Sequence, residues 1–303
     1  MAFSEIYHKQ AALLIRVLPL VAQEQDFALK GGTAINLFIR DMPRLSVDID
    51  LTYLPVQPYP QSLAAIDAAF GRIAGRVKAG IPGARITESK LEGRIIKLFI
   101  RADGVQIKLD VTPVIRGCVY EPEVRQVSDK VEDTFGFAEI KVVSFADLYA
   151  GKIVAALDRQ HPRDLFDIRD LLANEGIDEA LRRAFIVYLL SHNRPMSEVL
   201  KPTRLDIEPE FNRGFAGMTD KLVTIEALTD AREALIGSIV GKMPANHRTF
   251  LISFERGVPD WSLLEMEGAK DLPAVMRRQE NLDKATSEKR AALVARLEEV
   301  LAE

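Results

Sequence analysis

The stretch KGGTAINLFIRDMPRLSVDIDLTYL, residues 30–54, decides the fold. Gly31 and Gly32 follow the short apolar run FALK (27–30) and precede TAINLFI, whose apolar residues have helical spacing; VDIDLTYL then alternates with the period of a strand. The order is strand, turn, helix, strand. On a strand, residues two apart share a face, so Asp48 and Asp50 project side by side while Val47, Ile49 and Leu51 face a core. Carboxylates that close repel each other. A chain keeps them either hydrated at an exposed edge or neutralised by a cation, and ligation by oxygen alone favours Mg²⁺ or Mn²⁺. The glycines also fit two readings: a plain tight turn, or backbone N–H groups at a helix start that cradle a phosphate.

Working outward, residues 4–22 carry helical periodicity, and after the Pro-rich loop LPVQPYPQ an Ala-rich helix is expected over 61–79. RITESKLE, RIIKLFIRA and VQIKLDVTPV alternate as three strands separated by turns at Gly93 and Gly104, the pattern of an antiparallel meander. From about residue 144 the character changes to helical periodicity that continues to the end, broken by loops near Pro195, Pro202, Pro244 and Pro259. The fold class is α+β, a mixed sheet with flanking helices followed by an all-helical half. The expected domains are 1–143 and 144–303.

Composition narrows the chemistry. With 303 residues the chain buries a substantial core. One cysteine, Cys118, excludes an intramolecular disulfide and a cysteine-rich zinc module, and four histidines leave little for a histidine-based metal cluster. The start MAFSEIYHKQ has no basic leader, and AALLIRVLPLVA is too short to span a bilayer, so a cytosolic protein without membrane contact is expected. The net charge of −4 argues against a generic nucleic-acid coat. Residues 72–108 nevertheless hold nine Lys or Arg against three acids, either a polyanion-facing surface or a solvated face.

A third carboxylate sharpens the picture. Asp110 sits late in the apolar run VQIKLDVTPV; if that strand neighbours the one carrying Asp48 and Asp50, three aspartates converge at one end of the sheet, enough to hold two cations. In the second half, Phe145, Tyr149, Ile153 and Leu157 form a core stripe with Lys152 beside it. That lysine either snorkels to water or meets a triphosphate as a point charge. In HPRDLFDI, Pro162 and Asp164 suit a helix start, Arg163 and Asp167 stand four apart, and His161 reads as a cap or loop residue. Cys118, after Gly117, reads as a structural thiol.

GGTAINL, then RLSVDIDL, a later strand aspartate and KIVAALDRQHPRDLFDI together resemble the AbiEii/AbiGii-type (MenT-like) toxin branch of the nucleotidyltransferase superfamily, over roughly residues 28–175. The resemblance implies the minimal nucleotidyltransferase sheet, with Gly31 and Gly32 on an incoming NTP, Asp48 and Asp50 as metal ligands and Asp110 completing a carboxylate triad. It moves to Thr33 the hydroxyl role that many members give to a serine, with Ser46 a second hydroxyl near phosphate unless it bonds its own backbone. Lys152 then meets the triphosphate, Asp164 ahead of Asp167 completes the active-site wall, Arg163 positions, and the helical domain completes the cleft. The implied activity is that of a toxin that moves a nucleoside monophosphate from an NTP to an acceptor hydroxyl, often a tRNA 3′ end, restrained by a cognate antitoxin. The basic 72–108 segment is the expected acceptor contact. Two rivals stand beside it: a non-catalytic interaction protein on the same fold, and a transferase acting on protein.

Overall fold

The computed structural model describes residues 4–219 and 221–302. The first half runs α1 (Glu5–Val21), β1 (Phe27–Lys30), α2 (Gly31–Ala34), β2 (Asp48–Tyr53), α3 (Tyr59–Gly80), β3 (Arg85–Leu91), β4 (Arg94–Ala102), β5 (Val105–Arg116), β6 (Glu123–Gln126), α4 (Asp129–Phe135) and β7 (Glu139–Val142). Helices follow: α5 (Phe145–Asp158), α6 (Pro162–Asn174), α7 (Glu179–Leu190), α8 (Met196–Leu200), α9 (Glu208–Gly214), α10 (Ile225–Ile236), α11 (Ala245–Glu255), α12 (Pro273–Asp283) and α13 (Ser287–Ala302).

Among the described residues, seven strands form one mixed sheet in the order β3-β4-β5-β2-β1-β7-β6. The meander β3-β4-β5 is antiparallel, and its two hairpins turn at Glu92-Gly93 and Asp103-Gly104, where both residues have positive φ. That is the primed turn geometry whose twist suits a hairpin. β5 then lies parallel to β2, and β2 antiparallel to β1. Ile49, Leu51, Leu98, Ile100, Ile107 and Leu109 are buried on the apolar side, against which α1 and α3 pack. Helix α3 meets the sheet through Leu63, Ile66, Phe70, Ile73 and Val77, a stripe of helical period. The alternate residues of β2, β4 and β5 are thereby turned to the opposite side.

The chain divides into two compact units, one of Met1–Ser144 with Phe215–Leu222, the other of Phe145–Gly214 with Val223–Glu303. The returning segment is tied into the first unit by backbone bonds from Leu45 N–H to the Met218 carbonyl and from Ser4 N–H to the Gly217 carbonyl. The second unit is helical throughout its regular structure, and α5 packs on α6 and α7 through Tyr149, Ile153 and Leu157, all fully buried. No helix among the described residues is long and apolar enough to cross a membrane.

The TAINLFI segment departs from the expected regular helix. The single turn α2 begins at Gly31 itself and runs into a π-helical turn, Ile35–Ile39. The Asn36 side chain donates from Nδ2 to the Gly32 carbonyl at 3.0 Å, inside this widened turn.

Candidate active site

Backbone register assembles the charged face. Lys30 stands opposite Asp50, Asp50 opposite Asp110, and Asp110 opposite Lys97, a row that crosses β1, β2, β5 and β4. One step along, Asp48 stands opposite Lys108. Directly opposed residues point to the same side of a sheet, so three aspartates and three lysines share this face. The neighbouring strands required for Asp110 to approach Asp48 and Asp50 are therefore present.

The lysines compensate the carboxylates. Lys108 Nζ lies 3.1 Å from Asp110 Oδ2 and 3.8 Å from Asp50 Oδ1, and Lys97 Nζ lies 3.4 Å from Asp110 Oδ2. Burial, then the hydrogen bond and charge of Asp110, push the Asp50 carboxyl up to about 6, against the pull of Lys108. Burial would raise Asp110 too, but the hydrogen bond with Asp50 and the charges of Lys108 and Lys97 outweigh it and hold that carboxyl below its ordinary value. Burial alone would lower Lys108, yet Asp50, Asp48 and Asp110 together raise it. Lys30 is pushed down because burial outweighs the attraction of Asp50, Asp110 and Cys118.

The glycines are required by the chain's own groups. Gly31 has φ +74°, and a Cβ there would stand 2.6 Å from Asp50 Oδ2. A Cβ at Gly32 would stand 2.7 Å from Arg44 Nη2 and 3.1 Å from Ser46 Oγ. The buried Arg44 guanidinium thus lies against the turn, with Nη1 donating to the Leu45 carbonyl at 3.0 Å. Thr33 Oγ1 is buried and hydrogen-bonds both the Asp48 carbonyl and Ser46 Oγ, the latter at 3.0 Å. A hydroxyl has one proton, so Thr33 donates to the carbonyl and accepts from Ser46. Both hydroxyls fasten the start of α2 to β2.

A family model described as "Nucleotidyl transferase AbiEii toxin, Type IV TA system" matches residues 12–277. The chain belongs to this family. It is therefore an AbiEii nucleotidyltransferase toxin of a type IV toxin–antitoxin system. Among solved structures, MenT4, a nucleotidyltransferase toxin from Mycobacterium tuberculosis H37Rv, is similar in fold, with a TM-score of 0.62 at 16% identity over 90% of this chain and 92% of MenT4. No curated protein matches.

Within this AbiEii chain, the donor set on β2 suits one hard divalent cation: Asp48 and Asp50 supply oxygens, and water and phosphate oxygens supply the rest. Among the described residues no three His, Cys, Asp or Glu side chains are arranged to hold a metal ion, and Asp110 is engaged by Lys97 and Lys108.

The second unit of the toxin holds its own charge cluster. Lys152 on α5 is buried, where a snorkelling side chain would reach water, and its Nζ donates to Asp164 Oδ1 at 2.8 Å and pairs with Asp167 Oδ2 at 3.0 Å. Arg159 donates from Nε to Asp164 Oδ2 at 2.7 Å. Burial would raise the Asp164 pKa, but Lys152 and Arg159 overcome it and hold the carboxyl well below the usual range. His161 caps α6, its Nδ1 accepting from the Arg163 N–H at 3.1 Å; burial and the Arg163 charge lower its pKa to about 4. Arg163 itself is half-buried in the first turn of α6.

The basic 72–108 segment is not one surface. Arg72 and Arg76 both clasp Glu24 at 2.6 Å and Arg94 holds Asp67 at 3.1 Å, whereas Lys97 and Lys108 belong to the carboxylate face. Helical and strand periods send these residues in different directions, which a count along the chain does not see.

Two outcomes are expected. Asp50 has a raised pKa when folded, so its contribution to stability is full below the unfolded value near 4 and is lost as pH rises through about 6. Without divalent ions, Asp50→Asn should therefore melt above the native chain at pH 8 by about 2–4 °C, on the order of 1 kcal/mol after allowing for solvent screening, with the gap closing by pH 5. Native protein melting higher at pH 8 would contradict this. Asp164 has the opposite sign: its contribution is full above the unfolded value and is lost as pH falls. Asp164→Asn should cost about 3 kcal/mol in a denaturant titration at pH 7, shrinking only below about pH 4.

Proposed function

We propose that this toxin transfers a nucleoside monophosphate from an NTP to a hydroxyl at the 3′ end of tRNA, depends on Mg²⁺ or Mn²⁺ held by Asp48 and Asp50, and is restrained by a cognate antitoxin. The single observation that carries the reading is the pair of aspartates brought to one face of β2, with Asp50 against Gly31 and Arg44 against Gly32. In the reaction, the acceptor oxygen forms a bond to the α-phosphorus and loses its proton to water, as the bond from the α-phosphorus to the bridging oxygen breaks and that oxygen leaves with pyrophosphate. A bound cation would neutralise phosphate charge and polarise the reacting oxygens.

The chain's own residues then do mainly positioning and charge compensation, which is what such transfers need. The N–H groups of Gly31 and Gly32 face the phosphates, and Arg44 adds a fixed positive charge beside them. Thr33 and Ser46 act through the backbone, holding Asp48 in place. In the second unit, Lys152 is proposed to meet the triphosphate. An ammonium has three donors, and the carboxylates of Asp164 and Asp167 take two while fixing its direction. Arg163, in the first turn of α6, is proposed to be a positioning residue.

Incubation with labelled NTPs, Mg²⁺ or Mn²⁺ and total cellular RNA tests the reading. Label should enter small RNA of tRNA size at its 3′ end, and Asp48→Asn should lower the rate by about 10²-fold or more while leaving the chain folded. Label in protein with none in RNA would replace the proposed acceptor, and undiminished labelling by Asp48→Asn would overturn the assignment of the site.

A further inference from the structure

Lys108 is the least expected member of the charged face. Strand register places it opposite Asp48, and its ammonium stands between two carboxylates, 3.1 Å from Asp110 Oδ2 and 3.8 Å from Asp50 Oδ1. A centre with two divalent ions needs carboxylates that offer separate oxygens to ions about 3.5–4 Å apart. Here Asp110 Oδ2 already receives both Lys108 and Lys97, and Asp50 Oδ1 shares Lys108. The side chain of Lys108 is held from both sides, so a second divalent ion would have to displace an ammonium from between two carboxylates.

We propose that Lys108 is a built-in replacement for the second cation, so that the toxin works with one divalent ion on the Asp48–Asp50 side. This rests on the metal dependence proposed above. Lys108 is on this account a positioning residue: it fixes Asp50 and Asp110, and supplies one positive charge where two-ion enzymes recruit a metal. Asp110 is then an anchor for lysines, and its carboxylate is not a ligand. The same arrangement lets three carboxylates share one sheet face before any cation arrives.

Manganese EPR on the full chain tests the proposal. The probe is Mn²⁺ with α,β-methylene analogues of the four nucleoside triphosphates, which are not cleaved at the reacting bond. Native protein should bind one manganese per chain and give an uncoupled spectrum. Lys108→Met should open the second position and give a spin-coupled pair, two ions per chain. Lys108→Arg, which keeps the charge, should remain uncoupled, and so should Lys97→Met, because Lys97 reaches Asp110 alone among the three aspartates in its ion pairs. A coupled pair in the native protein overturns the proposal whether or not any variant folds. So does an uncoupled spectrum from Lys108→Met that retains its native circular dichroism. No protein-bound manganese in any of the four proteins would overturn the proposed metal dependence along with this inference, whereas a native coupled pair would leave that dependence intact.

Discussion

Everything at the charged face depends on strand register. With β2 paired to β5 so that Asp50 meets Asp110 and Asp48 meets Lys108, like charges and their partners come to the same side in adjacent rows. A slip of one residue would send every one of these side chains into the apolar layer under α1 and α3. The alternation of Ile49 and Leu51, and of Ile107, Leu109 and Val111, forbids that slip because each of these residues is buried. The core thus sets the electrostatics of the opposite face. Carboxylates and ammonium groups held in this way are arranged in advance, and the proposed substrate site would need little rearrangement.

The glycine turn belongs to the same construction. Its lack of side chains admits Asp50 and Arg44 from within the molecule, and the hydroxyl chain from Ser46 through Thr33 to the Asp48 carbonyl ties the turn to the aspartate strand. The turn and the strand cannot shift independently. In the second unit, Lys152, Asp164 and Asp167 achieve a similar balance by different means: helices α5 and α6 bring one buried ammonium against two buried carboxylates, and the exposed Arg159 between the helices pairs with Asp164. Removing one partner there strands another charge in a poorly solvated place.

Much of this was legible in the sequence for identifiable reasons. Glu92-Gly93 and Asp103-Gly104 are turn pairs between alternating runs, so the meander could be read directly. The period-two placement of Asp48 and Asp50 revealed a shared face. What the sequence did not reveal is what depends on partners far away along the chain. Lys30, Lys97 and Lys108 look like solvated surface until register sets them against aspartates, and Arg44 looks like a loop residue until it is found buried against Gly32. The strands EVRQ and EIKV are four residues long, too short for a periodic signal. The return of Phe215–Leu222 to the first unit rests on backbone bonds that leave no compositional trace.

The proposed nucleotide site is this face of the sheet, with its aspartates and the adjoining glycine turn. The most direct measurement is a crystal structure with Mg²⁺ and an NTP analogue that cannot be cleaved. One ion ligated by Asp48 and Asp50 is expected, with phosphate oxygens against the Gly31 and Gly32 amides and Lys108 still between Asp50 and Asp110. Nucleotide bound elsewhere, with no ion on Asp48 or Asp50, would contradict it.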